Sequence, residues 1–303
     1  MRVASVVGVD AGGTKTRAAF ASADGVQRTA EGAAANPMLA GESAAADTIA
    51  AVIREVSAGE PIAALHVGAA GAGGAQTAAR IEQLLRAAFP NARIAVGDDA
   101  FIALRGAIAE GPGIALIAGT GSIAIAVDGR GGVHRVGGLG YLLGDEGSAA
   151  WIGLEAVRRL GRVYDGREHE EETSRLVARH LDAPDRATLV RRIYGSHLDV
   201  ASVAALAPSI IAFAGKGNRV AGNIVGRAAA ALVELVGAVS RHAGLQESPA
   251  KIALCGGLLS EDNHLVALVE AEIMAILPGS EILRTSDPLA GAVRLARSLL
   301  PDP

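Results

Sequence analysis

Two stretches of the chain share one pattern, in which an apolar run, a turn of small residues and a second apolar run follow one another. The first run covers residues 3–9 and ends at Asp10. Gly12 and Gly13 follow, and the apolar pattern resumes at residues 18–21. Two apolar segments joined by a turn of small residues predict a β-hairpin.

The second stretch has apolar residues at 113–118 and 123–127, separated by Gly119-Thr-Gly-Ser122. That turn taken alone has the ordinary composition of a loop. Because each hairpin begins a segment of alternating strands and helices, the pair together predicts a duplicated architecture with one such turn in each half.

The rest of the chain reads as alternating helices and strands, which predicts an α/β fold. The expected helices cover residues 43–57, with Ser43 as the N-cap, 76–89, 100–110, most of 148–243, 264–277 and a last helix after Asp287. The expected strands cover residues 62–70, 93–97, 251–254 and 281–285, and residues 129–147 are expected to form turns.

Length and composition predict two domains without a flexible linker. The chain has 303 residues, of which 50% are hydrophobic and 3% aromatic. That length suits two domains, whose cores consist of Ala, Val, Ile and Leu. No segment rich in proline or serine divides the halves, so we place the boundary near residues 113–118. The predicted domains are residues 1–115 and 116–303.

Charge and cysteine content narrow the possible partners and location. The net charge of −4, with no dense basic run, argues against a nucleic-acid partner. The single cysteine, Cys255, excludes an intrachain disulfide and is typical of a reducing compartment. We recognise no signal peptide and no uninterrupted apolar stretch of membrane-spanning length. We therefore expect a cytoplasmic protein that has no membrane partner.

The first turn carries groups that suit a polyphosphate. Gly12 and Gly13 leave the backbone N–H groups accessible, and Thr14 and Lys15 add a hydroxyl and a cation. Asp10, at the end of the first strand, could hold a hydrated metal ion. A Walker loop would continue into a helix, whereas this chain continues as a strand. A tight surface turn without a ligand is the alternative.

Acidic residues follow the next predicted strands. Asp98 and Asp99 lie where a strand meets a helix, the edge at which α/β folds bind ligands. A carboxylate there could deprotonate an attacking hydroxyl, or it could simply cap the helix that begins at Ala100. Asp145 and Glu146, in the glycine-rich segment 137–148, could contact a small polar ligand or cap the following helix. Cys255-Gly-Gly257 could pack against a flat ring, although such turns are common.

These motifs resemble the N-acetylglucosamine kinase family of the actin, chaperone ATPase and sugar kinase superfamily. That family is related to the ATPases that activate benzoyl-CoA reductase and 2-hydroxyacyl-CoA dehydratase. The most specific segments are Asp10-Ala-Gly-Gly-Thr-Lys15, Gly119-Thr-Gly-Ser122 and Gly144-Asp-Glu-Gly-Ser148. The resemblance covers nearly the whole chain. It implies two ribonuclease-H-like (actin-like ATPase) domains around a nucleotide cleft, with the last helix, about 288–300, returning to the first domain.

The resemblance also implies the role of each site residue. Asp99, followed by alanine, matches the catalytic base, and Asp10 is the expected Mg²⁺ residue. ATP would be held by two phosphate loops and an adenosine motif, formed by Gly12, Gly13, Thr14, Lys15, Thr120, Gly121, Ser122, Gly256 and Gly257. The amino sugar would be held by Asn36, Gly71, Asp99, Gly138 and Asp145. Relatives of this kind are often homodimers, so we expect a homodimer.

Two departures from the family pattern affect the sugar side. Leu139 replaces a tryptophan that is common near the sugar, and Ile123 replaces a polar residue after the second phosphate loop. The predicted function is ATP-dependent phosphorylation of N-acetylglucosamine or glucosamine at the 6-hydroxyl. The alternatives are an activator-type ATPase, which would need at least two thiolates per subunit for a shared iron–sulfur cluster, and a sugar-binding regulatory protein with little kinase activity.

Overall fold

A computed structural model describes residues 4–22, 25–195, 199–246, 249–284 and 286–301. Within these residues the chain forms ten strands and twelve helices. The strands are β1 (Val6–Ala11), β2 (Lys15–Ser22), β3 (Gly25–Ala33), β4 (Ala64–Ala69), β5 (Arg93–Asp98), β6 (Gly113–Ala118), β7 (Ser122–Val127), β8 (Val133–Gly137), β9 (Lys251–Cys255) and β10 (Glu281–Leu283). The helices are α1 (Pro37–Ala40), α2 (Glu42–Ser57), α3 (Ala75–Ala88), α4 (Asp99–Ala107), α5 (Ala149–Tyr164), α6 (Glu172–His180), α7 (Arg186–Tyr194), α8 (Val200–Ala204), α9 (Ala207–Gly215), α10 (Arg219–Ala243), α11 (His264–Ile276) and α12 (Pro288–Ser298).

The chain divides into two compact units. Unit 1 comprises Met1–Gly111 and Thr285–Pro303, and unit 2 comprises Pro112–Arg284. Helix α12 thus belongs to unit 1 although it follows unit 2 in sequence. The boundary we placed between residues 115 and 116 falls inside β6. The structure assigns this strand whole to unit 2, where it pairs with β7 and β9.

Unit 1 is built on a five-stranded sheet in the order β3-β2-β1-β4-β5. Strands β1, β2 and β3 are antiparallel neighbours, and β1, β4 and β5 run parallel. Alternate residues of β1 face opposite sides of the sheet. Val7 and Val9 join a core with α2 and α3, while Val6 packs with α12. Both faces of the central strand are therefore buried.

Helix α12 lies directly against the backbone of β1 at Gly8. A Cβ atom at Gly8 would stand 2.4 Å from the backbone nitrogen of Val293. Only glycine permits this approach, so the close packing of α12 on the sheet depends on that position.

Unit 2 repeats the same arrangement. Its sheet has the order β10-β9-β6-β7-β8, with β6, β7 and β8 antiparallel and β6, β9 and β10 parallel. Its large core combines β6, β7 and β9 with helices that include α5, α9, α10 and α11. Both sheets thus have one strand order and one set of directions, as a duplicated architecture predicts.

Several predicted elements differ from the structure. Strands β3 and β8 were not expected. No residue of either strand is fully buried, so neither sequence needs a regular apolar alternation. Ser43 is not an N-cap: α2 begins one residue earlier, after Gly41, and no side chain caps it. The strand expected over 281–285 covers Glu281–Leu283, and residue 285 lies outside the described residues.

Helix α10 is the one described helix that is long and apolar enough to cross a membrane by length and composition. Of its most apolar window, 44% is buried inside the protein, and residues such as Ile224, Leu232 and Val236 belong to the core of unit 2. Core helices pass the same test, so the finding is weak evidence for a membrane span.

Candidate functional site

The turn between β1 and β2 leaves its backbone open. The Gly12 N–H donates to the Lys15 carbonyl at 2.9 Å and closes the turn. A Cβ atom at Gly12 would stand 3.1 Å from that carbonyl oxygen, so the position has little room for a side chain. Gly13, Thr14 and Lys15 are exposed. An anion could therefore approach the backbone of this turn.

The charged side chains of the first hairpin are paired with each other and with β3. Lys15 Nζ lies 2.9 Å from Glu31 Oε2, and both side chains are more than half exposed. Pairs of this kind stabilise a protein by about 0–1 kcal/mol, so Lys15 can exchange Glu31 for a phosphate at small cost.

Asp10 has a partner that the sequence analysis missed. Arg17 Nη2 lies 2.6 Å from Asp10 Oδ2, because the two residues face each other across the antiparallel pair of β1 and β2. The register of the predicted hairpin was the signal that could have found Arg17. Among the described residues, no group of three or more His, Cys, Asp or Glu side chains could hold a metal ion. A single carboxylate still suits Mg²⁺, which keeps several waters and takes other ligands from substrate phosphates.

Asp98 and Asp99 lie at the same sheet edge as Asp10. The registers pair Asp10 with Gly68 and Asp98 with Ala69, so the carboxyl ends of β1, β4 and β5 are level. Asp98 Oδ1 accepts the Ala100 N–H at 2.9 Å and caps α4. The capping alternative for Asp98 is therefore confirmed. Asp99 is the first residue of α4.

The Asp99 carboxyl holds its proton more tightly than an ordinary aspartate. Burial is the main cause, followed by the hydrogen bond that the protonated Asp99 carboxyl donates to the Asp98 side chain and by the negative charges of Asp98 and Asp10. The Ala100 N–H acts in the opposite direction. Together they raise the pKa of Asp99 from 3.8 to about 7. A carboxylate with a pKa near neutral is suited to accept a proton at physiological pH.

Two further predicted residues lie beside the first turn. Asn36 Oδ1 accepts the Met38 N–H at 2.9 Å and caps α1, and the Ala35 N–H donates to the Gly12 carbonyl at 3.2 Å. Gly71 has a φ of +84°, and a Cβ there would stand 2.7 Å from Asn36 Oδ1. Unit 1 thus brings together the first turn, Asn36 and Gly71.

The second turn, between β6 and β7, is closed by the Gly119 N–H, which donates to the Gly121 carbonyl at 2.9 Å. Thr120 is exposed. Ser122, in contrast, is 2% exposed, and its hydroxyl donates to the Glu146 carbonyl at 2.8 Å. The Ser122 hydroxyl is therefore engaged within the protein, where it anchors the segment before α5.

Helix α5 begins directly against the second turn. The Ala149 N–H donates to the Gly119 carbonyl at 2.9 Å, and the Ala150 N–H donates to the Thr120 carbonyl at 3.3 Å. The N-cap is Ser148, whose hydroxyl oxygen accepts the Trp151 N–H. The turn is therefore held by the first N–H groups of a long helix, and neither Asp145 nor Glu146 is the capping residue.

Asp145 instead lies against the second turn. Its φ is +61°, and its carboxylate accepts the N–H groups of Ser122 and Gly140. Burial raises the pKa of Asp145 in spite of these hydrogen bonds. The predicted sugar residue Gly138 is also here, since its N–H donates to the Ser122 carbonyl at 2.9 Å.

The adenosine-type motif adjoins the same turn. Gly256 has a φ of +88°, and a Cβ there would stand 2.4 Å from the Ala118 carbonyl oxygen. A Cβ at Gly257 would meet nothing within 4 Å. Gly256 is thus required by packing, whereas Gly257 offers an open backbone surface. Unit 2 brings together Thr120, Gly121, Gly138, Asp145 and this motif.

Comparison with known proteins places the chain among ATPases. The sequence profile of the BadF/BadG/BcrA/BcrD ATPase family matches residues 7–296. The chain belongs to this family. Because the match runs from within β1 to within α12, it includes every residue predicted for the site.

Curated proteins that are similar in sequence to this chain are named as kinases of amino sugars. The N-acetylmuramic acid/N-acetylglucosamine kinase of Clostridium acetobutylicum is 30% identical over 240 residues, 79% of this chain and 78% of that protein. The glucosamine kinase of Vibrio cholerae is 32% identical over 181 residues, 58% of this chain and 61% of that protein.

A solved structure from Chromobacterium violaceum, described as a proposed N-acetylglucosamine kinase, has a TM-score of 0.78 and 26% identity over 97% of this chain and 99% of that one. The predicted α/β fold of the actin-like ATPase and sugar kinase type is confirmed.

Proposed function

We propose that this protein is an ATP-dependent kinase of an amino sugar, N-acetylglucosamine or glucosamine, and that it phosphorylates the 6-hydroxyl. The observation that carries the proposal is Asp99, a partly buried carboxylate of raised pKa at the sheet edge that also holds Asp10. Membership of an ATPase family and the substrates named for the relatives support the reaction class.

Each unit has its own part in the proposed reaction. In unit 1 the sugar contacts Asn36, Gly71 and Asp99, and the first turn with Lys15 holds phosphate oxygens. In unit 2 the second turn holds further phosphate oxygens through its backbone, Gly257 packs against the adenine, and Gly138 and Asp145 contact the sugar. Phosphoryl transfer depends mainly on such positioning and on neutralising the phosphate charge.

The proposed chemical step moves one proton and one phosphoryl group. Asp99 accepts the proton of the sugar 6-hydroxyl as that oxygen forms a bond to the γ-phosphorus, and the bond from the γ-phosphorus to the β,γ-bridging oxygen breaks to release ADP. Asp10 would hold Mg²⁺ through its carboxylate while Arg17 fixes its orientation. When bound, Mg²⁺ supplies charge neutralisation at the phosphate oxygens.

Two features of unit 2 bear on sugar selectivity. Leu139 is 65% exposed, so its apolar side chain is accessible where relatives often have an indole, and the Ile123 side chain adds no hydrogen-bonding group. We therefore propose a sugar site that distinguishes weakly between a free and an acetylated 2-amino group.

ATP turnover tests the proposed function. ADP release should be measured with N-acetylglucosamine, glucosamine, N-acetylmuramic acid, glucose and the 6-deoxy analogue of the best substrate. We expect strong stimulation by an amino sugar and none by its 6-deoxy analogue. ATP hydrolysis that no sugar stimulates, together with a stoichiometric iron–sulfur chromophore, would instead identify an activator-type ATPase. With one cysteine in the chain, we expect a colourless protein.

The proposal extends to assembly and location. A homodimer is expected from the resemblance and is tested by light scattering across a concentration series. A cytoplasmic location is in keeping with one reduced, buried cysteine and is tested by fractionation of the source cells.

A further inference from the structure

Unit 2 contains a cavity of about 650 Å³ that none of the residues assigned to the nucleotide or the sugar lines. It is formed by the middle of α5, the first turns of α10 and Glu168. Its charged lining includes five arginines: Arg158, Arg159, Arg162, Arg219 and Arg227.

Positive charge exceeds negative charge in this arginine cavity. The five arginines face two glutamates, Glu155 and Glu168, so three positive charges are uncompensated within the lining. The chain as a whole carries a net charge of −4. The cavity is therefore a cluster of positively charged side chains on an acidic protein. Its electrostatic potential attracts a small anion.

The two glutamates hold four of the arginines in place. Glu155 lies 2.5 Å from Arg158 Nη1 and 2.7 Å from Arg227 Nη1. Glu168 pairs with both Arg159 and Arg162. A guanidinium has five N–H donors, and a carboxylate shared between two arginines cannot satisfy all of them. The glutamates thus orient the arginines but leave some of their N–H donors without an acceptor.

Two donors lack a carboxylate within hydrogen-bonding distance. Arg219, the first residue of α10, has no ion pair with any residue that the structure describes. Arg159 Nε is buried without a hydrogen-bond partner: Glu171 Oε1 lies 4.0 Å from it, and the pairing with Glu168 is made by Arg159 Nη1. A buried N–H with no acceptor is costly, and a bound anion would supply that acceptor.

We propose that this cavity is a binding site for a small phosphorylated anion, such as a polyphosphate or a phosphate ester. Arginine forks match phosphate oxygens bidentately, and the volume lies in the range of small-molecule sites. The glutamates within the lining disfavour an extended nucleic-acid backbone or an anionic membrane, which would need a continuous basic face. The site is additional to the proposed kinase site and does not depend on it.

Binding of inorganic pyrophosphate, measured by calorimetry, tests the proposal. The protein used carries the Gly121→Val substitution, so that the second turn adds little to the measured pyrophosphate binding. In that background we expect Arg219→Glu to weaken pyrophosphate binding by about tenfold or more, because a charge-assisted contact becomes a repulsion. Arg219→Gln should have a smaller effect in the same direction.

The matched control is Arg130→Glu, which makes the same charge change at an exposed residue in the turn between β7 and β8. It should leave binding within about twofold. Arg219→Glu should fold, because an acidic residue in the first turn of a helix is favourable, and circular dichroism checks this. Repeating the titration with inorganic phosphate and with a hexose 6-phosphate distinguishes a free phosphate from an ester as the ligand.

Unchanged binding in both Arg219 variants would overturn the proposal, and so would equal losses in Arg219→Glu and Arg130→Glu. Binding of RNA or of anionic vesicles that Arg219→Glu abolishes, with no pyrophosphate binding in the parent, would show that the surface serves a macromolecule instead. Sugar kinase activity is not the readout, so failure of the proposed function leaves this test intact.

Discussion

Replacing Asp99 by asparagine separates a catalytic carboxylate from a structural one. Asparagine keeps the size and hydrogen-bonding ability of aspartate at the start of a helix, but it cannot accept a proton from the sugar. We expect kcat to fall by about 10²–10⁴-fold, the usual contribution of a positioned acid–base group. ATP binding should persist, because the proposed function assigns the nucleotide to the two turns and not to Asp99.

The dependence of kcat/KM on pH is a second, quantitative test of Asp99 as the base. Since the pKa of Asp99 is about 7, its ionised fraction rises about tenfold between pH 6 and pH 8. The kcat/KM for the sugar should rise by that factor in the wild type and be flat in Asp99→Asn. Asp98→Asn is the matched control: it keeps the cap, and it should move the midpoint to lower pH, because the Asp98 side chain is one cause of the raised pKa.

Stability should change in the direction opposite to activity. The folded state of the wild type holds the Asp99 proton up to a pKa of about 7, against the ordinary aspartate value of 3.8. This group therefore stabilises the fold fully below pH 3.8, and the contribution is lost as pH rises through 7. At pH 8, Asp99→Asn should be more stable than the wild type, by up to about 4 kcal/mol. Urea unfolding measures the difference. Activity within threefold of the wild type would refute the assignment of Asp99 as the base, and a lower stability of Asp99→Asn at pH 8 would refute the raised pKa.

Three further predictions concern the second turn, the sugar and the core. In Gly121→Val the new Cβ would stand 2.8 Å from Asp145 Oδ2, so the KM for ATP should rise about tenfold or more, while circular dichroism should show an intact fold. The control is Gly119→Ala, whose Cβ would meet nothing within 4 Å and which should leave the KM for ATP unchanged. Leu139→Trp should change the KM for the sugar and leave that for ATP nearly fixed; a change confined to ATP would place Leu139 elsewhere. Burial lowers the pKa of His66 from 6.5 to about 4, so stability should fall by about 3 kcal/mol as pH falls from 6.5 through 4, and chemical unfolding of His66→Gln should lack this component.

The central strands and the turns were predictable from sequence because both are local. Apolar runs with a glycine-rich turn between them specify a hairpin whatever surrounds it, and both hairpins form as predicted. The edge strands β3 and β8 were not predictable in this way. Neither strand has a fully buried residue on either face, so its residues, such as Gln27 and Arg28 in β3, carry no apolar alternation.

The partners of the site residues depend on contacts between elements, which a single sequence does not display. The pairing of Asp10 with Arg17 follows from strand register, and the inward hydroxyl of Ser122 follows from the position of the segment before α5. The contact of Asp145 with the second turn requires its positive φ, which no local pattern around that residue indicated. Sequence thus identified residues of chemical interest, while tertiary structure determined which groups remain available to a ligand.

The two hairpins share one fold but differ in charge, which explains why the proposed catalytic groups lie in unit 1. The residue pair before each turn is equivalent in register: Asp10 faces Arg17 in the first hairpin, and Ile117 faces Ile123 in the second. Where unit 1 has an ion pair beside the proposed base, unit 2 thus has two apolar side chains. Unit 2 can offer a nucleotide its backbone N–H groups, but its hairpin has no carboxylate on the strands at that level. A second site of the kind proposed for unit 1 would need an acid at position 117, where this chain has Ile117.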